Sequence, residues 1–121
     1  LSAVHWLSAA LAISLVVPVA LPLLRKRHAC LWTVLWNFGI FVVMAVADMV
    51  EGGLSGQVIW DLGFDTRLIG DPSQAYRFLT AMYVHGGALH VLMNMLILVL
   101  IGVPFEDRIG TPRWMAIYLF T

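Results

Sequence analysis

The stretch Tyr83-Val84-His85-Gly86-Gly87-Ala88-Leu89-His90-Val91-Leu92-Met93-Asn94 sets an imidazole and a carboxamide four residues apart inside a strongly apolar run. Helical periodicity puts His90 and Asn94 on one face, about one turn apart, where their side chains can converge on a single point. Neither is a nucleophile of choice. An imidazole N–H and an amide NH2 are two donors that can be aimed at one developing negative charge, which is the chemistry of an oxyanion hole. The bland alternative is glue between helices, worth about 0.6 to 2 kcal/mol. Spacing alone leaves both readings open. A metal site at His85 and His90 is disfavoured, because the two are five apart with no cysteine or well-placed carboxylate nearby. No cofactor is implied.

The elements that must position these groups are membrane helices. Apolar residues make up 61% of the chain and charged residues 12%, outside the usual range for a soluble domain. The fold class expected is all-α, a polytopic transmembrane helix bundle. The formal charge is zero and the basic residues form no stripe, so nucleic acid is excluded as a partner. The single Cys30 excludes an internal disulfide and reads as a small apolar residue.

A first span is expected from about Leu7 to Leu24, kinked or shortened by Pro18 and Pro22. Arg25-Lys26-Arg27-His28 follows the apolar run rather than preceding it, which argues for an anchor helix over a signal peptide. The positive-inside rule then makes residues 25–28 cytoplasmic and 51–85 exterior. A second span runs from about Cys30 to Val50, with Trp32 and Trp36 near its cytoplasmic end and Asp48 solvated at the other. Residues from about Glu51 to Met82 form one long loop, expected to contain short helices of its own and to rest partly in the interface. The third span is expected from Ala88 to Val103, stopping at Pro104. A tight turn over Glu106–Arg113, broken by Gly110 and Pro112, then leads into a fourth apolar run from Trp114. A start at Leu1 rather than Met, and an end at Thr121 inside that run, point to a piece of something longer.

Tyr76-Arg77-Phe78-Leu79-Thr80, His85 through Asn94, and Glu106-Asp107-Arg108-Ile109-Gly110 together resemble, in order and spacing, the N-terminal half of a rhomboid-family intramembrane serine protease. The resemblance covers roughly Cys30 to Thr121. It implies two domains: residues 1–28 as an extra N-terminal anchor helix with its cytoplasmic basic loop, and 29–121 as a truncated half of the rhomboid core.

The resemblance also implies roles. His90 and Asn94 match positions that stabilise the tetrahedral oxyanion when a serine attacks a peptide bond, and His85 matches a loop histidine that helps order the site's mouth. Arg77, Glu106, Arg108 and Gly110 match structural positions: Arg77 pinning the loop, and the Glu106/Arg108 turn hydrogen-bonding within the cytoplasmic cap. The implied partners are transmembrane protein substrates and the lipid bilayer, and the implied setting is the plasma membrane of a prokaryote. One departure is decisive for chemistry. None of Ser2, Ser8, Ser14, Ser55 and Ser73 sits in the family's Gly-x-Ser-Gly setting, and the general-base histidine is also missing. A catalytically inactive rhomboid-like protein that binds transmembrane helices is the alternative.

Overall fold

The computed structural model describes residues 3–120; Leu1, Ser2 and Thr121, which include the outer limits of both expected domains, lie outside the described residues. Among the described residues eight α-helices run in order: α1 (Ala3–Ser14), α2 (Val16–Arg25), α3 (Ala29–Val50), α4 (Leu54–Leu62), α5 (Arg77–Thr80), α6 (Ala88–Ile97), α7 (Val103–Ile109) and α8 (Thr111–Phe120). Short 3-10 turns at Thr66–Leu68 and Pro72–Gln74 break the long loop, and a π turn at Leu98–Gly102 joins α6 to α7. Among the described residues there is no strand. The described residues form an all-α membrane helix bundle.

Among the described residues, three helical runs are long and apolar enough to cross a bilayer: His5–Arg25, Ala29–Val50 and Ala88–Ile109. A run of 22 residues reaches about 33 Å, close to the thickness of a hydrocarbon core. The first is interrupted at Leu15, where α1 gives way to α2. Pro18 has no N–H to offer the carbonyl of Ser14 and its ring crowds that turn, so the ladder breaks there. Leu15 instead bonds back to the Ala12 carbonyl, three residues away.

The third span corrects an expectation. It does not stop at Pro104 but continues to Ile109. The π turn just before Pro104 widens the backbone, so proline enters in the first turn of a new α segment, where its missing N–H does no harm. Glu106–Ile109 is accordingly helical, and the turn into α8 shrinks to Gly110, whose φ of 86° suits glycine. Pro112 falls in the first turn of α8, again at a harmless position.

The carbonyl of Leu98, at the start of the π turn, accepts from the Cys30 thiol at 3.2 Å. Gly102 sits against the same sulfur: a Cβ there would lie 2.7 Å from Cys30 Sγ and 3.5 Å from Trp114 Nε1. Ala29, Cys30, Trp114 and Met115 form the buried cluster at this end.

Glu106 closes that cluster. Buried at 6% exposure, its carboxylate accepts from the backbone N–H groups of Ala29 (2.6 Å) and Cys30 (2.8 Å) and from the Thr111 hydroxyl (2.7 Å). The first two are orphan donors at the start of α3, which a helix cannot satisfy itself. One side chain therefore caps α3 from another span and holds the start of α8.

At the opposite end a larger cluster joins Leu11 and Leu15, Ile40 and Met44 of α3, Val58 and Leu62 of α4, and Tyr83. Asp48, partly open to solvent, accepts from the backbone N–H and hydroxyl of Ser55 and so caps α4. The added front span is tied in by Asp61, which accepts from Ser8 (2.8 Å), His5 (3.0 Å) and Gln57 (2.9 Å). Burial pushes the Asp61 pKa up, yet those hydrogen bonds prevail and hold it below the usual carboxylate range. Trp36 also links spans, its indole N–H donating to Ser14 Oγ at 3.1 Å.

Gly102→Ala should lower stability by about 1 to 3 kcal/mol through overpacking against a buried sulfur. The measurement is the thermal midpoint in detergent. Combining it with Cys30→Ala should recover part of the loss, and an undiminished midpoint in Gly102→Ala alone would contradict this packing.

Candidate functional site

The loop before α6 is shaped by side chains capping the end of α4. Helix ends leave four carbonyls without partners. Here Arg77 Nη1 donates to the carbonyls of Trp60 (2.6 Å) and Gly63 (2.8 Å), the Tyr76 hydroxyl to Asp61 (2.9 Å), and the Thr80 hydroxyl to Leu62 (2.6 Å). Arg77 is buried and its Nε donates to Gln74 at 2.8 Å. The earlier part of the loop is fastened locally: Asp65 accepts from the backbone N–H of Arg67, and Asp71 from that of Ser73, each capping a 3-10 turn. Tyr76 and Thr80 belong to the quoted Tyr76–Thr80 segment, but sequence gives a role there to Arg77 alone. Their signal is the pattern Tyr-Arg-x-x-Thr, which presents three donors from little more than one turn.

From that anchored segment the chain passes the fully buried Tyr83 to His85, and through Gly86 and Gly87 into α6. Gly87 is extended and accepts the first helical bond, from Val91 N at 3.1 Å. His90 then falls in the first turn of α6 and Asn94 one turn on. Asn94 Nδ2 stands 3.2 Å from His85 Nε2, and the rings of His85 and His90 meet edge to face with centroids 5.1 Å apart. The structure therefore brings His85, His90 and Asn94 together.

The three differ in environment. His85 is buried, while His90 and Asn94 are exposed. Burial first, and then the adjoining His90, hold the His85 pKa below the usual imidazole range, so the neutral ring is favoured. A neutral ring accepting at Nε2 carries its proton on the buried Nδ1, and the Tyr83 backbone is the polar group beside the ring. One N–H of the Asn94 amide is thus engaged and the other remains free. A hollow of about 250 Å³ opens beside His85 and Asn94, its other walls being Met82, Met95, Ile97, Leu98 and Tyr118.

The remaining residues expected at the site lie elsewhere. Glu106 and Gly110 are at the far end of the third span, and Arg108 is exposed there, with no hydrogen bond or ion pair among the described residues. Among the described residues no three His, Cys, Asp or Glu side chains converge in a way that could hold a metal ion.

Comparison with known proteins agrees with this architecture. The family model described as Rhomboid domain matches residues 72–121. The chain is similar to three proteins of Arabidopsis thaliana. It is 36% identical to RHOMBOID-like protein 4 over 59 residues, which is 49% of this chain and 15% of that protein. It is 31% identical to RHOMBOID-like protein 6, mitochondrial, over 70 residues, covering 57% and 23%. It is 42% identical to RHOMBOID-like protein 2 over 48 residues, covering 40% and 15%. The matched part thus spans less than a quarter of the length of these relatives. No solved structure matches. All three relatives are plant proteins, so they lend no support to a prokaryotic plasma membrane; what stands is an integral membrane protein.

Two outcomes are expected. Because the folded state holds His85 neutral, the stability linked to it is present above the ordinary imidazole pKa of about 6.5 and is lost as pH falls below that value. Thermal midpoints from pH 7.5 downward should fall more steeply in the natural chain than in His85→Gln, which keeps an acceptor for Asn94 and does not titrate. Arg77→Lys should lose the planar group that donates from Nη1 to two carbonyls and from Nε to Gln74, and so weaken the end of α4 by about 1 to 3 kcal/mol. Faster limited proteolysis near Gly63 is the readout.

Proposed function

This chain belongs to the rhomboid family, and from that premise we propose that it serves an intramembrane serine endopeptidase, supplying the donors that stabilise the oxyanion when a peptide bond in or near a transmembrane segment is cleaved. The observation that carries this reading is that His85 meets both Asn94 and His90 of α6, with His85 and Asn94 lining an open hollow. Attack of a serine on a carbonyl places negative charge on one oxygen. The His90 ring N–H and the free N–H of Asn94 are donors of the right kind to receive it, and in low-dielectric surroundings each is worth more than in water.

His85 acts in this scheme as a positioning residue. By accepting one amide hydrogen of Asn94 it fixes the plane of the carboxamide, which leaves the second hydrogen with a defined direction. Its neutral state matters, since a protonated Nε2 would repel the same N–H. The serine nucleophile and its histidine base are supplied by residues other than these 121, and the pair would work as a reduced form of the usual triad. In this reading residues 25–28 face the cytoplasm, and His85 with the Glu51–Met82 loop faces the exterior, so water reaches the reaction from that side.

The test is cleavage of a single-span substrate by the full-length protein that contains this sequence. His90→Ala and Asn94→Ala should each lower kcat by about 10² to 10³ with little change in KM. Full turnover in the double variant would falsify the oxyanion assignment. A natural protein that cleaves nothing yet retains transmembrane helices on purification would instead mark an inactive relative.

A further inference from the structure

Two stretches some eighty residues apart in the chain meet at one end of the bundle. Arg25, Lys26, Arg27 and His28 form the turn between α2 and α3, and Arg108 and Arg113 flank the turn between α7 and α8. Glu106 brings them together by holding Ala29 and Cys30 from α7, and α2 also packs on α8. Five of the seven Lys and Arg residues therefore stand at this end. The acids that accompany them are Glu106, already consumed by its three hydrogen bonds, and Asp107.

All six basic residues are exposed, and among the described residues none of the six makes an ion pair. The other end contrasts with this: Arg67 is paired to Asp65 at 2.7 Å, and Arg77 is buried among carbonyls. The α2–α3 turn holds its charges outward by an uncommon route, with Lys26 and His28 both left-handed at φ 55° and 61°. Directly beside the charges are exposed apolar side chains, Leu24 at 81% and Leu31 at 46%, belonging to the membrane-spanning runs themselves.

We propose that this end is a binding surface for anionic phospholipid, the guanidinium and ammonium groups engaging the headgroup phosphate while Leu24 and Leu31 lie along its acyl chains. A membrane-boundary position with unpaired cations above an apolar flank matches an amphipathic anion rather than a soluble one. The start of α3 is not what binds it, because Glu106 already occupies those N–H groups. Two basic clusters joined by the fold give a headgroup more than one partner at once.

The test uses the full-length protein in detergent, titrated with dioleoylphosphatidylglycerol, dioleoylphosphatidylcholine or glycerol 3-phosphate, with bound lipid counted by native mass spectrometry and stability read as a thermal midpoint. Phosphatidylglycerol should be retained over phosphatidylcholine and should raise the midpoint. Arg108→Gln with Arg113→Gln, or Lys26→Gln with Arg27→Gln, should each reduce that preference by about five-fold or more. Arg67→Gln at the opposite end should leave it unchanged. The preference of the natural chain should also weaken as salt rises from about 0.05 M to about 0.5 M, a reading that does not depend on any variant folding. Equal retention of the two lipids, no response to salt, or an equal loss in Arg67→Gln would overturn the proposal. So would a midpoint rise with glycerol 3-phosphate matching that of the lipid, since the surface would then be reading a free anion.

Discussion

The Glu106 carboxylate is the contact on which the bundle depends. It takes a helix start that would otherwise leave bare N–H groups near hydrocarbon and satisfies two of them from a different span, with a threonine hydroxyl closing the third side. In lipid an unmet backbone donor has no water to turn to, so this bond is worth more than its counterpart in a soluble domain. Its position fixes where α7 stands against α3. Because α6 and α7 are one run, it also fixes the depth at which His90 and Asn94 emerge at the other end.

The opposite end repeats the same device with different chemistry. There the free groups are carbonyls at the close of α4, and the donors come from Tyr76, Arg77 and Thr80. Both ends thus rest on side chains that finish another segment's helix, rather than on apolar contact alone. The hydrophobic effect draws little distinction between a leucine facing lipid and one facing a neighbouring span, so polar closure carries much of the specificity. Asp48 on Ser55 and Asp61 on Ser8, His5 and Gln57 extend that pattern to the loop and to the added front helix.

Much of this architecture was legible in the residues because lipid imposes a length. Runs of about twenty apolar residues declare themselves as spans, and the expected limits of the first two lie within two residues of those found. The third was misjudged at its far end, where Pro104 was read as a stop. A π turn is a local widening with no simple residue signature, so sequence could not show how proline would be absorbed. At the site, spacing showed that His90 and Asn94 share a face. It could not show that His85, nine residues from Asn94, returns through two glycines to meet the amide, since that depends on a loop held by Arg77. The His5 and Ser8 partners of Asp61 were equally hidden, because they join segments more than fifty residues apart.

The π turn at Leu98–Gly102 also acts as a phase shifter. One extra residue in a helical run rotates everything beyond it by about 100° about the axis. The azimuth of Glu106 relative to Asn94 is therefore set by a single inserted position between them. Deleting one residue from this apolar stretch would leave composition and hydropathy almost untouched. It would nevertheless swing the carboxylate away from α3 while the histidine end stayed in place, so the two ends of the same rod are tuned to each other by a count.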